Sequence, residues 1–230
     1  MKFPALFRRR ELWLPTLPSL LAILFALGLL ALLLFRNMAV FLTVNEPVGA
    51  DYLVIEGWMD KEELEQARTY FNANDFNKTI IVGGPISNDF HDIDTNYAGR
   101  AAGYLRKQGM PPEKIVIVVS PYSAQDRTFL NAVMTREWFQ QQGISLSRLD
   151  VFSSGVHTRR SRDLYQQAFG ANVTIGIIAA KPRDFDPTHW WQTSANGKGV
   201  AVEFASWLLV KCCFNPGEPD SHLERWGIEK

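Results

Sequence analysis

Cysteine is almost missing from this 230-residue chain, and the two that occur, Cys212 and Cys213, are neighbours. Two adjacent cysteines make no zinc site and are poorly placed to bridge without strain, so they read as small apolar residues of a helix. Glycine-rich phosphate signatures are missing too. Neither GxGxxG nor GxxxxGK[ST] occurs, which argues against a standard dinucleotide or nucleoside-triphosphate cradle. No serine lies in a GxSxG elbow, so serine-hydrolase chemistry has little support. An excess of either charge is also lacking: 24 Lys and Arg balance 24 Asp and Glu.

That balance hides an uneven distribution. Lys2, Arg8, Arg9 and Arg10 precede a run from Leu14 to Phe35 whose only departures from apolar character are Pro15, Thr16, Pro18 and Ser19. As a helix this run spans roughly 33 Å, enough for a hydrocarbon core of about 30 Å. The basic cluster predicts residues 1–13 in the cytoplasm and the chain beyond residue 45 on the extracytoplasmic side. A cleaved signal peptide is the competing reading, with Val48-Gly49-Ala50 as small-residue cleavage material. That tripeptide lies far beyond Phe35 and the run exceeds a usual signal core, so an uncleaved anchor over 14–35 is preferred. Setting aside Lys2, Arg8, Arg9, Arg10, Arg36 and Glu11 leaves 19 bases against 23 acids, a net of −4. A domain of that sign is not a general nucleic-acid binder.

Residues 36–49 read as a stalk, 50–214 as one domain and 215–230 as a loosely held polar tail. Within the domain, mainly apolar runs at Tyr52–Ile55, Thr79–Val82, Ile115–Val119, Leu149–Ser153 and Val173–Ala179 have strand character. Helical patterns lie between them near Lys61–Asn72, Asn96–Gln108, Ala124–Gln142 and His157–Phe169. Gly109, Gly143 and Gly170 fall where helices should stop. Strands without polar alternation, joined by helices, predict a parallel sheet covered on both faces. The stretch Val200–Phe214 is too short and too interrupted, by Glu203 and Lys211, to cross a bilayer and reads as a helix packed on the sheet.

Ligands of open parallel sheets bind outside the carboxyl ends of the strands. Those ends carry Glu56-Gly57-Trp58, Gly83-Gly84-Pro85, the segment Ser120–Thr128 with Ser123, Asp126, Arg127 and Thr128, then Ser153, Ser154, His157 and Arg160, and finally Lys181, Arg183 and Asp184. Gly83 and Gly84 allow close backbone approach to a ligand, or serve as ordinary turn residues. Arg127 suits an anion, or an ion pair with Asp126 or Glu56. Glu56 is a possible general base, or the partner of an arginine. His157 is the foremost catalytic candidate because imidazole exchanges a proton near neutral pH. Three arginines follow it in a first helical turn, where the macrodipole disfavours cations, so a bound anion or carboxylates from elsewhere must compensate. Of these, Arg160 stands one turn from His157 and shares its side. Asp89-Phe90-His91-Asp92-Ile93-Asp94 offers oxygen and nitrogen donors at close spacing, but a lone acidic loop reads as solvated surface; no metal and no cofactor are expected.

The order of an apolar anchor, an Asp51-led strand, Gly83-Gly84, Arg127-Thr128-x-x-Asn131-Ala132 and strand-Ser-x-x-x-His157-x-x-Arg160-Ser161 resembles the YdcF, SanA and ElyC group of bacterial domains over roughly residues 50–212. The resemblance implies a Rossmann-like three-layer α/β fold with a mainly parallel five-stranded sheet. For anchored members it implies a role in envelope integrity and peptidoglycan-related lipid-carrier metabolism. It points to Gly83, Gly84, Arg127, Thr128, Asn131, Ser153, His157, Arg160 and Glu203. Glu56-Gly57-Trp58 replaces the glycine-rich turn usual in that group, which tells against nucleotide-like or S-adenosylmethionine binding.

Taken together, the expectation is an anchored extracytoplasmic domain of the cytoplasmic membrane that binds a phosphate-bearing, lipid-linked envelope intermediate. Ser123, Ser153 and Ser154 complete the ligand set, and His157 with Glu56 forms the catalytic pair. Two alternatives stand beside it. One is a non-catalytic assembly factor for other envelope proteins; the other is a hydrolase of a soluble anionic substrate.

Overall fold

The computed structural model describes residues 15–86, 96–123, 127–218 and 224. The chain forms two compact units, Met1–Asn37 and Met38–Lys230. In the first, helix α1 (Leu17–Arg36) has Pro18 in its opening turn and no buried residue. Proline is tolerated there because the first N–H groups of a helix have no intrahelical partner. The helix is long and apolar enough to cross a membrane.

The second unit opens with a short helix, α2 (Met38–Leu42), and continues into strand β1 (Tyr52–Glu56), helix α3 (Lys61–Asn72), β2 (Lys78–Gly83), α4 (Tyr97–Lys107) and β3 (Ile115–Val119). Helix α5 (Arg127–Gln141), β4 (Arg148–Ser154), α6 (Thr158–Phe169), β5 (Thr174–Ala180) and α7 (Ser194–Cys212) complete it. All five strands are parallel, in the order β3-β2-β1-β4-β5. This is the parallel sheet that the apolar strands predict, in a doubly wound, Rossmann-like order. The order reverses between β1 and β4, and the crevice at that reversal is where such sheets bind ligands.

The twofold alternation of side chains along each strand builds two cores. Val54, Ile80, Val82, Val118, Val151 and Ile177 face α5 and α6, meeting Phe129, Val133, Leu164 and Tyr165. Leu53, Ile55, Ile81, Phe152 and Ile178 face α3 and α4, meeting Leu64, Phe71, Ala101 and Leu105. A third cluster joins Ala39 and Leu42 of α2 to Trp190 and Val200, beside Phe204 and Trp207 of α7. Trp190 is thus a core residue. Local chemistry marks the helix starts: Asp60 and Glu63 form a reciprocal capping box on α3, and Asn96 accepts from Gly99 N at 2.6 Å on α4.

Three expectations need correction. Residues 38–50 are not a free stalk. Ala39 and Leu42 are fully buried, Glu46 bridges Ile177, and buried Asp150 accepts from Val48 N and Ala50 N at 2.8 and 2.9 Å. A Cβ on Gly176 would lie 2.0 Å from Asp150 Oδ1 and 2.7 Å from Val48 N, so glycine there makes room for this clip. The tail is anchored at Glu224, whose carboxylate takes a two-pronged bond from buried Arg136 at 2.8 and 2.6 Å. Cys212 and Cys213 are joined as a disulfide where α7 ends, because Cys213 has already left helical geometry. The helical period that would have kept the two side chains apart stops between them.

Candidate functional site

The loops after β1, β2 and β4 and the start of α5 surround a cavity of about 540 Å³. Gly83, Gly84, Arg127, Thr128, Asn131, His157 and Arg160, distant in sequence, all line it, together with Trp58, Pro85, Tyr97 and Glu203. Local backbone geometry aims the central residue. β4 ends at Ser154, a 3-10 turn follows over Gly155–His157 with Gly155 at φ +36°, and α6 starts at Thr158. That turn delivers His157 to the crevice before the helix begins.

His157 is held on both ring nitrogens. Nδ1 lies 3.2 Å from Glu203 Oε2 and 3.0 Å from an Arg160 terminal nitrogen, while Nε2 lies 3.3 Å from Thr128 Oγ1 and 3.8 Å from Glu56 Oε2. With Nδ1–H given to Glu203, Nε2 presents a lone pair to the Thr128 hydroxyl. With Nδ1 accepting from Arg160, Nε2 carries the proton instead. One set of contacts therefore serves both tautomers, which suits a group that takes and returns a proton. Trp58 packs edge-on against the imidazole with centroids 5.1 Å apart, fixing the ring's remaining freedom.

Glu56 is fully buried, and its carboxylate is satisfied by hydroxyls and an indole rather than by an arginine. Ser153 Oγ donates to Oε2 at 2.5 Å, Ser161 Oγ to Oε1 at 3.0 Å and Trp58 Nε1 to Oε2 at 3.2 Å. A buried carboxylate requires such a donor set. Strand alternation explains the partners: Ser153 shares β4's α6-facing side with Val151, so it reaches Glu56, whereas Ser154 turns to the other side and donates to Glu63 of α3. Burial pushes the Glu63 carboxyl up despite that bond. The charge of Glu56, added to complete burial, holds the Tyr165 phenol well above its ordinary range.

Glu203 is the residue that sequence patterning alone did not flag as functional; only the family resemblance pointed to it. It stands on α7, where it interrupts an apolar stretch, and Arg160 Nε donates to it at 2.5 Å. Burial raises its carboxyl, but hydrogen bonds and charge from His157 and Arg160 outweigh burial and bring it down to about 2. The carboxylates that compensate the basic start of α6 are now identified: Arg160 pairs with Glu203 and Arg162 with Glu46, while Arg159 donates to the Phe41 carbonyl.

Several expectations change accordingly. Arg160 is committed to a carboxylate instead of standing ready for an anion. Arg127 makes no ion pair among the described residues and is exposed at the rim, so it is the cation the cavity offers. Gly83 is needed chiefly for helix packing, since a Cβ there would lie 2.8 Å from Tyr97 Cβ and 3.0 Å from Ala98 N. A Cβ on Gly84 would make ordinary contacts only, with the Ser120 and Pro121 carbonyl oxygens at 3.4 and 3.7 Å and Ser120 Cβ at 3.9 Å, and Gly84 lines the cavity. Asn131 accepts from Ser120 Oγ. Ser153 supports Glu56 from behind, Ser154 lines a smaller neighbouring cavity of about 220 Å³, and Ser123 is buried away from both. Lys181 and Arg183 line neither cavity, and Arg183 pairs with Glu62. Asp126 and the segment Asp89–Asp94 lie outside the described residues. Among the described residues no group of three or more His, Cys, Asp or Glu is placed to hold a metal ion.

Pro85 follows Gly84 at the strand end as expected, whereas Tyr97 was not foreseen. Tyr97 reaches the wall only because α4 begins against Gly57 and Gly83, and a Cβ on Gly57 would lie 2.7 Å from the Tyr97 carbonyl oxygen. Glycines after two different strands were the available signal. Comparison with protein-family models, with curated proteins and with solved structures finds no match for this chain.

Proposed function

We propose that this is a membrane-anchored, extracytoplasmic domain of the bacterial envelope that binds a phosphate-bearing, lipid-linked intermediate, with His157 as its proton-transfer group. The observation that carries this reading is the placement of His157 in the cavity, between Glu203 and Thr128, in a lining that also holds the exposed Arg127. The N-terminal turn of α5 adds the positive end of a 15-residue helix to the guanidinium of Arg127. With Nδ1 facing Glu203, the ring keeps its orientation while Nε2 takes a proton and, in the return step, gives it back.

The test is a binding titration of the full chain with a lipid-linked phosphate and with the same lipid lacking the phosphate. The phosphorylated lipid should bind more tightly, and Arg127→Ala should weaken it by roughly tenfold, the effect of losing one charge-assisted contact. Equal affinity for the two lipids would defeat the proposal.

A second reading is favoured by one specific observation. Thr128 Oγ1, His157 Nε2, His157 Nδ1 and Glu203 form a line of hydroxyl, base and carboxylate, the arrangement that activates a hydroxyl or a water for attack. In that reading the domain hydrolyses an anionic ester, soluble or lipid-linked. Turnover should then fall by about 10²–10⁴ in His157→Ala, the usual contribution of a general base.

A further inference from the structure

Helix α7 has two faces of different character. Inward, it carries Glu203 to the cavity and buries Val200 and Val210. Outward, Ala201, Val202, Ala205, Leu208, Leu209 and Cys212 recur at helical spacing and are all exposed, with Val202 at 56% and Leu209 at 60%. The neighbouring α2 exposes Val40 and Phe41. The two surfaces are continuous, because the Phe41 ring meets Trp207 edge-on at 5.0 Å. Soluble proteins rarely leave a contiguous apolar face of this extent open to water.

We infer that the outer faces of α2 and α7 form a second membrane contact that seats the domain on the lipid interface beside its anchor. Three observations select the bilayer as the occupant. Asn37 alone separates α1 from α2 in the chain, and at about 3.5 Å per residue Phe41 stays within roughly 20 Å of the end of α1 by chain length alone. The outward side of α7 has no carboxylate, since its single acid, Glu203, turns inward. Lys198 and Lys211 stand exposed towards its two ends, Lys211 also 3.0 Å from Asp163, giving the apolar stripe with cationic margins that an interfacial helix presents to anionic headgroups. The consequence is functional. With the outer side of α7 in the interface, the wall that carries Glu203 stands next to the bilayer, and a phosphate carried on a lipid reaches the cavity from the membrane side.

The inference rests on the anchoring part of the reading above and not on the chemistry of the cavity. It is tested with the full chain in nanodiscs of phosphatidylethanolamine and phosphatidylglycerol containing a phospholipid with a photoactivatable diazirine on its acyl chain. Adducts are mapped by mass spectrometry. Lipid adducts are expected on α1, on Val40–Phe41 and on the outward residues of α7. The double variant Leu208→Glu, Leu209→Glu, which alters only exposed positions, should lose at least tenfold of the α7 adducts while those on α1 remain. His157→Ala should label like the parent, so a failed cavity hypothesis and a failed docking hypothesis give different patterns. Labelling confined to α1 overturns the proposal. So do crosslinks that join α7 to α7 of a second copy, which would make this face a dimer surface.

Discussion

His157 Nδ1 lies 3.2 Å from Glu203 Oε2, joining the turn before α6 to the middle of α7 across 46 residues of sequence. This contact, with the fork of Arg160 onto the same carboxylate, closes one wall of the cavity. It also explains how Arg160 tolerates the start of a helix, where the macrodipole alone opposes it.

The pairing gives stability a pH dependence of known sign. The Glu203 carboxyl is held at about 2, below its ordinary 4.5. A depressed carboxylate contributes stability that is fully present above pH 4.5 and is lost as pH falls towards 2. The loss should amount to something on the order of 2–3 kcal/mol over that window. Denaturant unfolding of the parent and of Glu203→Gln between pH 2 and pH 6 measures it, and the variant's profile should be flatter. Parallel profiles would detach Glu203 from the acid response.

Removing a donor from Glu56 should destabilise the domain because nothing else can solvate a carboxylate that is fully buried. Ser161→Ala takes away the 3.0 Å bond to Oε1 and should cost about 1–3 kcal/mol in urea unfolding. Ser154→Ala lies next to Ser153 but serves Glu63, so it should leave the Glu56 environment unchanged.

The two glycines after β2 should behave differently. Gly83→Ala drives a Cβ into Tyr97 and Ala98 and should destabilise by about 1–3 kcal/mol, the range for overpacking a close contact. Gly84→Ala makes only ordinary contacts, at 3.4–3.9 Å to Ser120 and Pro121, and should fold like the parent while narrowing the cavity. Thermal midpoints of the two variants, with ligand titration of the second, separate the roles.

Asp150 holds the segment that connects α2 to the sheet. Asp150→Asn replaces one acceptor oxygen with an amide that faces a backbone donor. The expected loss is about 1–3 kcal/mol, with faster amide exchange at Val48 or Ala50. Exchange at both positions matching the parent would show that the clip does not fasten the segment.

Much of the fold was legible locally. Mainly apolar strands required cover on both faces, helical periods located α3 and α6 almost to the residue, and Gly109 and Gly143 marked helix ends that the structure confirms at φ +89° and +66°. Propensity and burial patterning act over a few residues, so a single sequence displays them. That His157, Arg127, Thr128 and the glycines would share the strand ends also followed, because a parallel sheet sends every such loop to one edge.

What remained was decided by contacts across the chain. Whether Arg160 meets an anion or Glu203, whether Glu56 rests on arginine or on serines, and whether residues 38–50 hang free or pack all depend on which side chain arrives opposite. The strand order, the start of α4 against two glycines, and the face that α7 turns inward settle those meetings. Sequence alone fixes the helices, the strands and the edge where loops gather. The pairing of charges within that edge belongs to the tertiary structure, because a buried charge takes its partner from whichever element the fold places beside it.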